Sequence, residues 1–144
     1  MKCISIWQPF ASLIVSGCKT FETRSWAAPA SLIGQRIGIA ATKNINAAQR
    51  QFFEDEDFRA AYNSTNQPAL SDLPMGVLLG TVILDSVELM TEEMMEDVSD
   101  EEKLYGWWNE GNYGWRLTDP VPLTHPCIIR GQQGLYDWRG ELPV

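Results

Sequence analysis

The chain has 144 residues, 44% of them hydrophobic, with 8 Pro and 11 Gly. That length is most simply one domain, residues 1–144, able to bury roughly two-thirds of its unfolded surface without disulfide or metal staples. The formal charge of −8 argues against a strong non-specific nucleic-acid binder, which is usually basic, and no apolar run approaches the ~20 residues of a membrane helix.

Residues 3–7 read as a strand, with Ile4 and Ile6 on one face and Cys3 and Ser5 on the other. Gln8-Pro9 breaks it. Pro9 suits the first helical position, where its missing N–H is not needed. Phe10, Leu13, Ile14 and Gly17 follow helical spacing, with Ser12 and Ser16 expected on the outer side. Gly17 suits the left-handed residue that ends such a helix. Residues 20–26 read as a second strand. Phe21, Thr23 and Ser25 share one face; Thr20, Glu22, Arg24 and Trp26 share the other. Glu22 and Arg24 then stand roughly 7 Å apart along the strand. Lys19 joins them only if Gly17-Cys18-Lys19 is a turn.

Pro29 and Gly34 mark a turn, and residues 36–42 a third strand whose Gly38, Ala40 and Ala41 leave room for close approach. Residues 44–62 are helical in composition, with Asn44 or Asn46 as cap and the acids 54–57 splitting the segment. Residues 63–74 read as loop. Residues 76–84, apolar on both faces, read as a central strand that runs on towards Leu89. Residues 90–112 mix Met90, Met94 and Met95 with acids and Trp107-Trp108, and read as an inserted loop or short helix. Residues 113–117 are a strand, Pro120, Pro122 and Pro126 flank a bend, and 127–129 are a last short strand before a Gly-punctuated end. The expected fold is α+β, mainly β: a small, partly closed barrel of about five to six strands with flanking helices.

The charge is unevenly spread. Residues 1–50 carry six basic side chains against one acid, and residues 51–110 fifteen acids against two bases. A positive patch in the first third is compatible with the acidic total. Cys3, Cys18 and Cys127 cannot all pair and form no CxxC, which favours buried thiols and a cytoplasmic location. Val15-Ser16-Gly17-Cys18 resembles a lipoprotein cleavage site, but Trp7-Gln8-Pro9 interrupts the apolar run a signal segment needs. His125 is the only histidine. It stands in a Pro-rich stretch, so neither a histidine-dependent triad nor a metal site is expected. No cofactor motif occurs. What remains is Lys19, Glu22 and Arg24. A carboxylate flanked by two cations can relay a proton, a lysine held near positive charge can act as a base, and Arg24 can grip a phosphate through two hydrogen bonds. Trp107-Trp108, in a polar setting, suits the stacking of single-stranded bases.

Gln8-Pro9-Phe10 followed by Gly17, Lys19, Glu22 and Arg24 resembles the opening of an ASCH domain, a PUA-like barrel whose members share a Gln-Pro-aromatic helix start and a Gly-x-Lys-x-x-Glu-x-Arg signature. Residues 76–84 with Val87 resemble its central strand, and 113–118 and 131–136 its closing segment, with the acidic stretch at about 90–112 as an insertion. The resemblance implies a cleft between the first helix and the barrel, lined by the Lys-Glu-Arg set, and an RNA- or nucleotide-binding role. The implied contact set is Gln8, Lys19, Glu22, Arg24, Trp26 and Tyr113, and the partner single-stranded RNA or a modified nucleoside. Some small members are amidohydrolases on acylated cytidine, using a lysine and a threonine of the motif and a glutamate elsewhere, and a ribonuclease activity is also known in the family. Lys19 and Glu22 would be the catalytic residues of such a hydrolase. Here Glu22 stands at the threonine position, which moves the chain towards the coactivator-associated branch. A third reading is a protein-interaction module using the 90–112 segment.

Overall fold

The computed structural model describes residues 1–142. Its strands are β1 (Lys2–Ile6), β2 (Phe21–Arg24), β3 (Arg36–Ala41), β4 (Val77–Leu89), β5 (Tyr113–Ile128) and β6 (Leu135–Asp137). They form one sheet in the order β2-β5-β4-β3-β1-β6. β1 and β3 are parallel and every other neighbouring pair is antiparallel. The sheet curls into a half-barrel, as the alternation of short strands and turns predicts. β4 and β5 approach closely at Gly80, where a Cβ would lie 2.5 Å from the Val121 carbonyl oxygen.

The first helix, α1 (Phe10–Val15), packs against β3, β4 and β5. All six of its residues are buried. Ser12, expected on the outer side, is therefore inside, and its hydroxyl and backbone N–H are both bonded to the Gln8 side chain. A helix plugging a curled sheet has no solvent face, so helical spacing alone misplaces its polar positions. Pro9 is the residue before the helix rather than its first member. Gly17 ends it at φ +85, and the Lys19 N–H closes the turn onto the Leu13 carbonyl at 3.0 Å.

The long connection to β4 holds α2 (Ala47–Phe52) and α3 (Glu56–Ser64). Asn46 caps α2 in a reciprocal box with Gln49. Asp55 accepts the Asp57 and Phe58 N–H groups, so the acid cluster ends one helix and starts the next. The 90–112 stretch folds into α4 (Glu92–Glu96) and α5 (Asp100–Leu104), capped by Thr91 and Ser99. It is no appendage, because Met90, Glu102 and Tyr105 are buried.

β5 corrects the sequence reading most. Residues 113–128 form one continuous strand through Pro120, Pro122 and Pro126. β2 covers only Tyr113–Arg116, and β4 lies on the other side. Beyond Leu117 one edge is free, so the missing proline N–H groups break no ladder bond there, and they blunt the edge against another chain. Of the cysteines only Cys3 is buried, Cys18 being exposed and Cys127 half-buried.

Candidate functional site

The opening motif divides between two places. Glu22 pairs with Trp115 and Arg24 with Tyr113 across β2 and β5. Opposed residues share a face, and Trp115 is fully buried, so Glu22 and Arg24 look into the half-barrel. Glu22 Oε2 accepts from Arg24 Nε at 3.2 Å and Nη2 at 3.1 Å, and its Oε1 accepts the Thr23 N–H at 3.1 Å. Arg24 Nη2 also donates to the Ser5 carbonyl at 3.3 Å. β2 is one edge of the sheet and β1 lies next to the other, so this guanidinium spans the open seam of the half-barrel. Trp26 stands just past β2, its ring edge-on to Trp115 at 5.0 Å and its carbonyl accepting the Trp115 indole N–H. Tyr113 is half-buried beside Arg24.

Lys19 comes in through the expected turn but serves a different setting. It is only 2% exposed. Its ammonium donates to the Tyr105 carbonyl, lies 3.8 Å from Glu102 Oε2, and sits 5.7 Å above the Phe10 ring. Burial pushes its pKa below the ordinary lysine value, against the opposing pull of the Glu102 and Glu22 charges. Glu102 Oε1 accepts both the Thr20 N–H, at 2.6 Å, and the Thr20 hydroxyl, at 2.8 Å. The structure thus brings Lys19, Thr20 and Glu102 together at the start of β2, with the Glu22 charge within electrostatic reach of Lys19. Gln8 is fully buried, donating to Ser12 and the Pro74 carbonyl and accepting from the Ser12 N–H, so its amide anchors the β1–α1 corner.

Glu102 and Tyr105 escaped the sequence reading because they lie in the acidic stretch. One local signal was available: Ser99-x-x-Glu102 has capping-box spacing, and Ser99 Oγ does accept the Glu102 N–H.

At one end of the sheet, among the described residues, lies a cleft of about 1030 Å³ between the end of β1, the turn after β3, the start of β4 and residues 128–133, and none of Gln8, Lys19, Glu22, Arg24, Trp26 and Tyr113 lines it. Ser5, Trp7 and Ala41 contribute to its lining, with Lys43, Asn44, Arg130, Gln132 and Gln133 at exposed positions around it. No acid lines it. Ser5 Oγ is hydrogen-bonded to Tyr136 Oη at 2.7 Å, and Gly131 closes over that pair so tightly that a Cβ would meet Ser5 Oγ at 2.7 Å. Among the described residues no group of His, Cys, Asp and Glu side chains could hold a metal, and no helix is long and apolar enough to cross a membrane.

A family model, the ASCH domain, matches residues 4–126. Activating signal cointegrator 1 of Homo sapiens is 34% identical over 106 residues, and that of Mus musculus 35% over 104. Each match takes in 69% of this chain but 17% of the relative, so the chain spans only a small part of those proteins. Among solved structures, an ASCH protein of Zymomonas mobilis superimposes with a TM-score of 0.60 at 22% identity, covering 96% of this chain and 87% of that one. A variant of the same protein gives 0.57 at 20%, with 96% and 89% covered.

Proposed function

The chain belongs to the ASCH domain family, and on that premise we propose that it is a binding module that holds single-stranded RNA or a nucleotide in the cleft between residues 128–133 and the ends of β1 and β3. One observation carries the reading. In a chain of charge −8, this cleft has no acid in its lining and two exposed cations, Lys43 and Arg130, in it. An apolar floor takes a base by stacking, and surrounding cations take its phosphates. Trp7 is the aromatic on that floor. The family's likeness to RNA-binding PUA domains supports the same role.

Titration of labelled single-stranded RNA at low and physiological salt tests it. Lys43→Glu and Arg130→Glu should each weaken binding and lower the salt slope by about 0.7–1 for each phosphate no longer neutralised. Parent-like affinity and slope in both variants would remove the cleft from the binding surface.

A second reading, hydrolysis of an acylated cytidine-type nucleoside or of RNA, is favoured by one contact. Glu102 accepts the Thr20 hydroxyl beside the Lys19 ammonium, a lysine, threonine and glutamate grouping of the kind the amidohydrolase members use. Incubation with N4-acetylcytidine and with RNA, followed by chromatography, shows product or none. Turnover that persists in Glu102→Gln would exclude this grouping as its source.

A further inference from the structure

The 90–112 segment carries features that nucleic-acid binding leaves unused. It holds eight acids and a single base, Lys103. On one side Met95, Trp107 and Trp108 line a hollow of about 500 Å³, with Lys103 and Asn109 also in its lining. On the other, Glu93, Asp97 and Glu102 join Phe21 and Met94 around a second hollow of about 450 Å³. The two share a wall, because the Trp108 ring stands edge-on against Phe21 at 5.2 Å. Met94 and Met95, adjacent on α4, face one hollow each.

Trp107 is 49% exposed, yet it is held in place. Its backbone N–H donates to Thr23 Oγ1 and its ring rests edge-on against Phe52 at 5.3 Å. Trp108 is fixed by its indole N–H on the Glu102 carbonyl. An exposed tryptophan whose backbone and one ring edge are already fixed gives up little freedom when a partner covers it, which is the usual character of an interface anchor. The one cation lining the second hollow, Arg116, lies 3.2 Å from Glu88 and stacks on Phe21 at 4.6 Å, so it leaves Glu93 and Asp97 without a basic partner.

We propose that this arm is a docking surface for a basic amphipathic peptide segment of a partner protein. An apolar side chain of the segment enters the Trp107–Met95 hollow. A lysine or arginine enters the mouth of the neighbouring acidic hollow, beside the exposed Glu93 and Asp97. Charge decides the class of partner: the surface repels phosphate and attracts cations, while the methionine thioethers adapt to varied apolar shapes. The inference stands independently of the proposed nucleotide cleft.

Fluorescence anisotropy of the full chain with a labelled peptide of alternating lysine and leucine pairs tests it. An oligolysine of equal charge and a glutamate–leucine peptide are the comparisons. Saturable binding of the lysine–leucine peptide is expected, with weaker binding of oligolysine and none of the acidic peptide. Trp107→Ala should weaken it about tenfold or more, and Glu93→Lys, an exposed change that leaves the fold intact, should weaken it and flatten its salt dependence. Absence of saturable binding at low salt overturns the proposal. So does equal affinity for oligolysine, or parent-like affinity in both variants. A concentration-dependent dimer that Glu93→Lys dissolves would replace the peptide by a second copy of the chain, and would overturn it too.

Discussion

Glu102→Ala lowers folding stability by about 3–5 kcal/mol, the usual result of removing one partner from a buried ion pair. Glu102 is 6% exposed and Lys19 2%. The substitution takes both acceptor contacts from Thr20 and leaves the Lys19 ammonium with the Tyr105 carbonyl as its one hydrogen-bond acceptor. Urea unfolding with an unchanged m-value measures it, and a loss below about 1 kcal/mol would show that the pair is not closed in solution. Glu102→Gln keeps an oxygen for Thr20 and should cost less.

The sign of the pH dependence tests the same pair. Lys19 has its pKa lowered in the fold, chiefly by burial. Between that value and the ordinary lysine value of about 10.4, the unfolded chain binds more protons than the native one, so stability from this residue rises with pH across the window. Lys19→Met should abolish the rise. Because desolvation outweighs the attraction, Lys19→Met combined with Glu102→Gln should recover much of what either loses alone. A double variant as weak as the sum of the two would contradict that balance.

Local regularities were legible in the sequence, and long-range partners were not. Alternation along a strand needs only neighbouring residues, so the common face of Glu22 and Arg24 could be read directly. The Gly17 turn that brings Lys19 inward has its signal in one residue. Glu102 is 82 positions from Thr20, and nothing in either stretch marks the other. The prolines of β5 misled for a related reason, since whether a strand edge is free is a property of the sheet and not of the strand. Ser12 was misplaced because a helix inside a half-barrel is buried all round. The cleft lined by Lys43 and Arg130 was not visible in the sequence, because, of the six basic residues in 1–50, only Lys43 lines it. Arg130, which joins it from the far end of the chain, carried no signal.

Phe58→Ala should cost about 3–5 kcal/mol, as large aromatic deletions in well-packed cores do. Phe58 is 1% exposed. Its ring lies 5.0 Å from Phe53, 5.4 Å from Phe52, 6.1 Å from both Phe10 and Tyr105, and 6.2 Å from Tyr62. One side chain of α3 therefore joins α1, α2 and the arm at the end of α5. Phe58→Leu keeps part of the apolar volume while giving up the ring contacts, and should lose less than Phe58→Ala. The consequence reaches the site through Tyr105, whose carbonyl accepts Lys19, and through Phe52, against which Trp107 rests. Hydrogen exchange should then show faster opening around residues 19–23 and 105–107 than at the central strands. Thermal or urea unfolding of Phe58→Ala within about 1 kcal/mol of the parent would mean that the helices attach independently. The decisive measurement is a cycle of the two milder changes, Phe58→Leu and Glu102→Gln. If both act by holding the same arm, the double variant loses less than the sum, with a coupling of about 0.5 kcal/mol or more. Strict additivity would separate the aromatic layer from the buried pair and leave the arm held at two unrelated points.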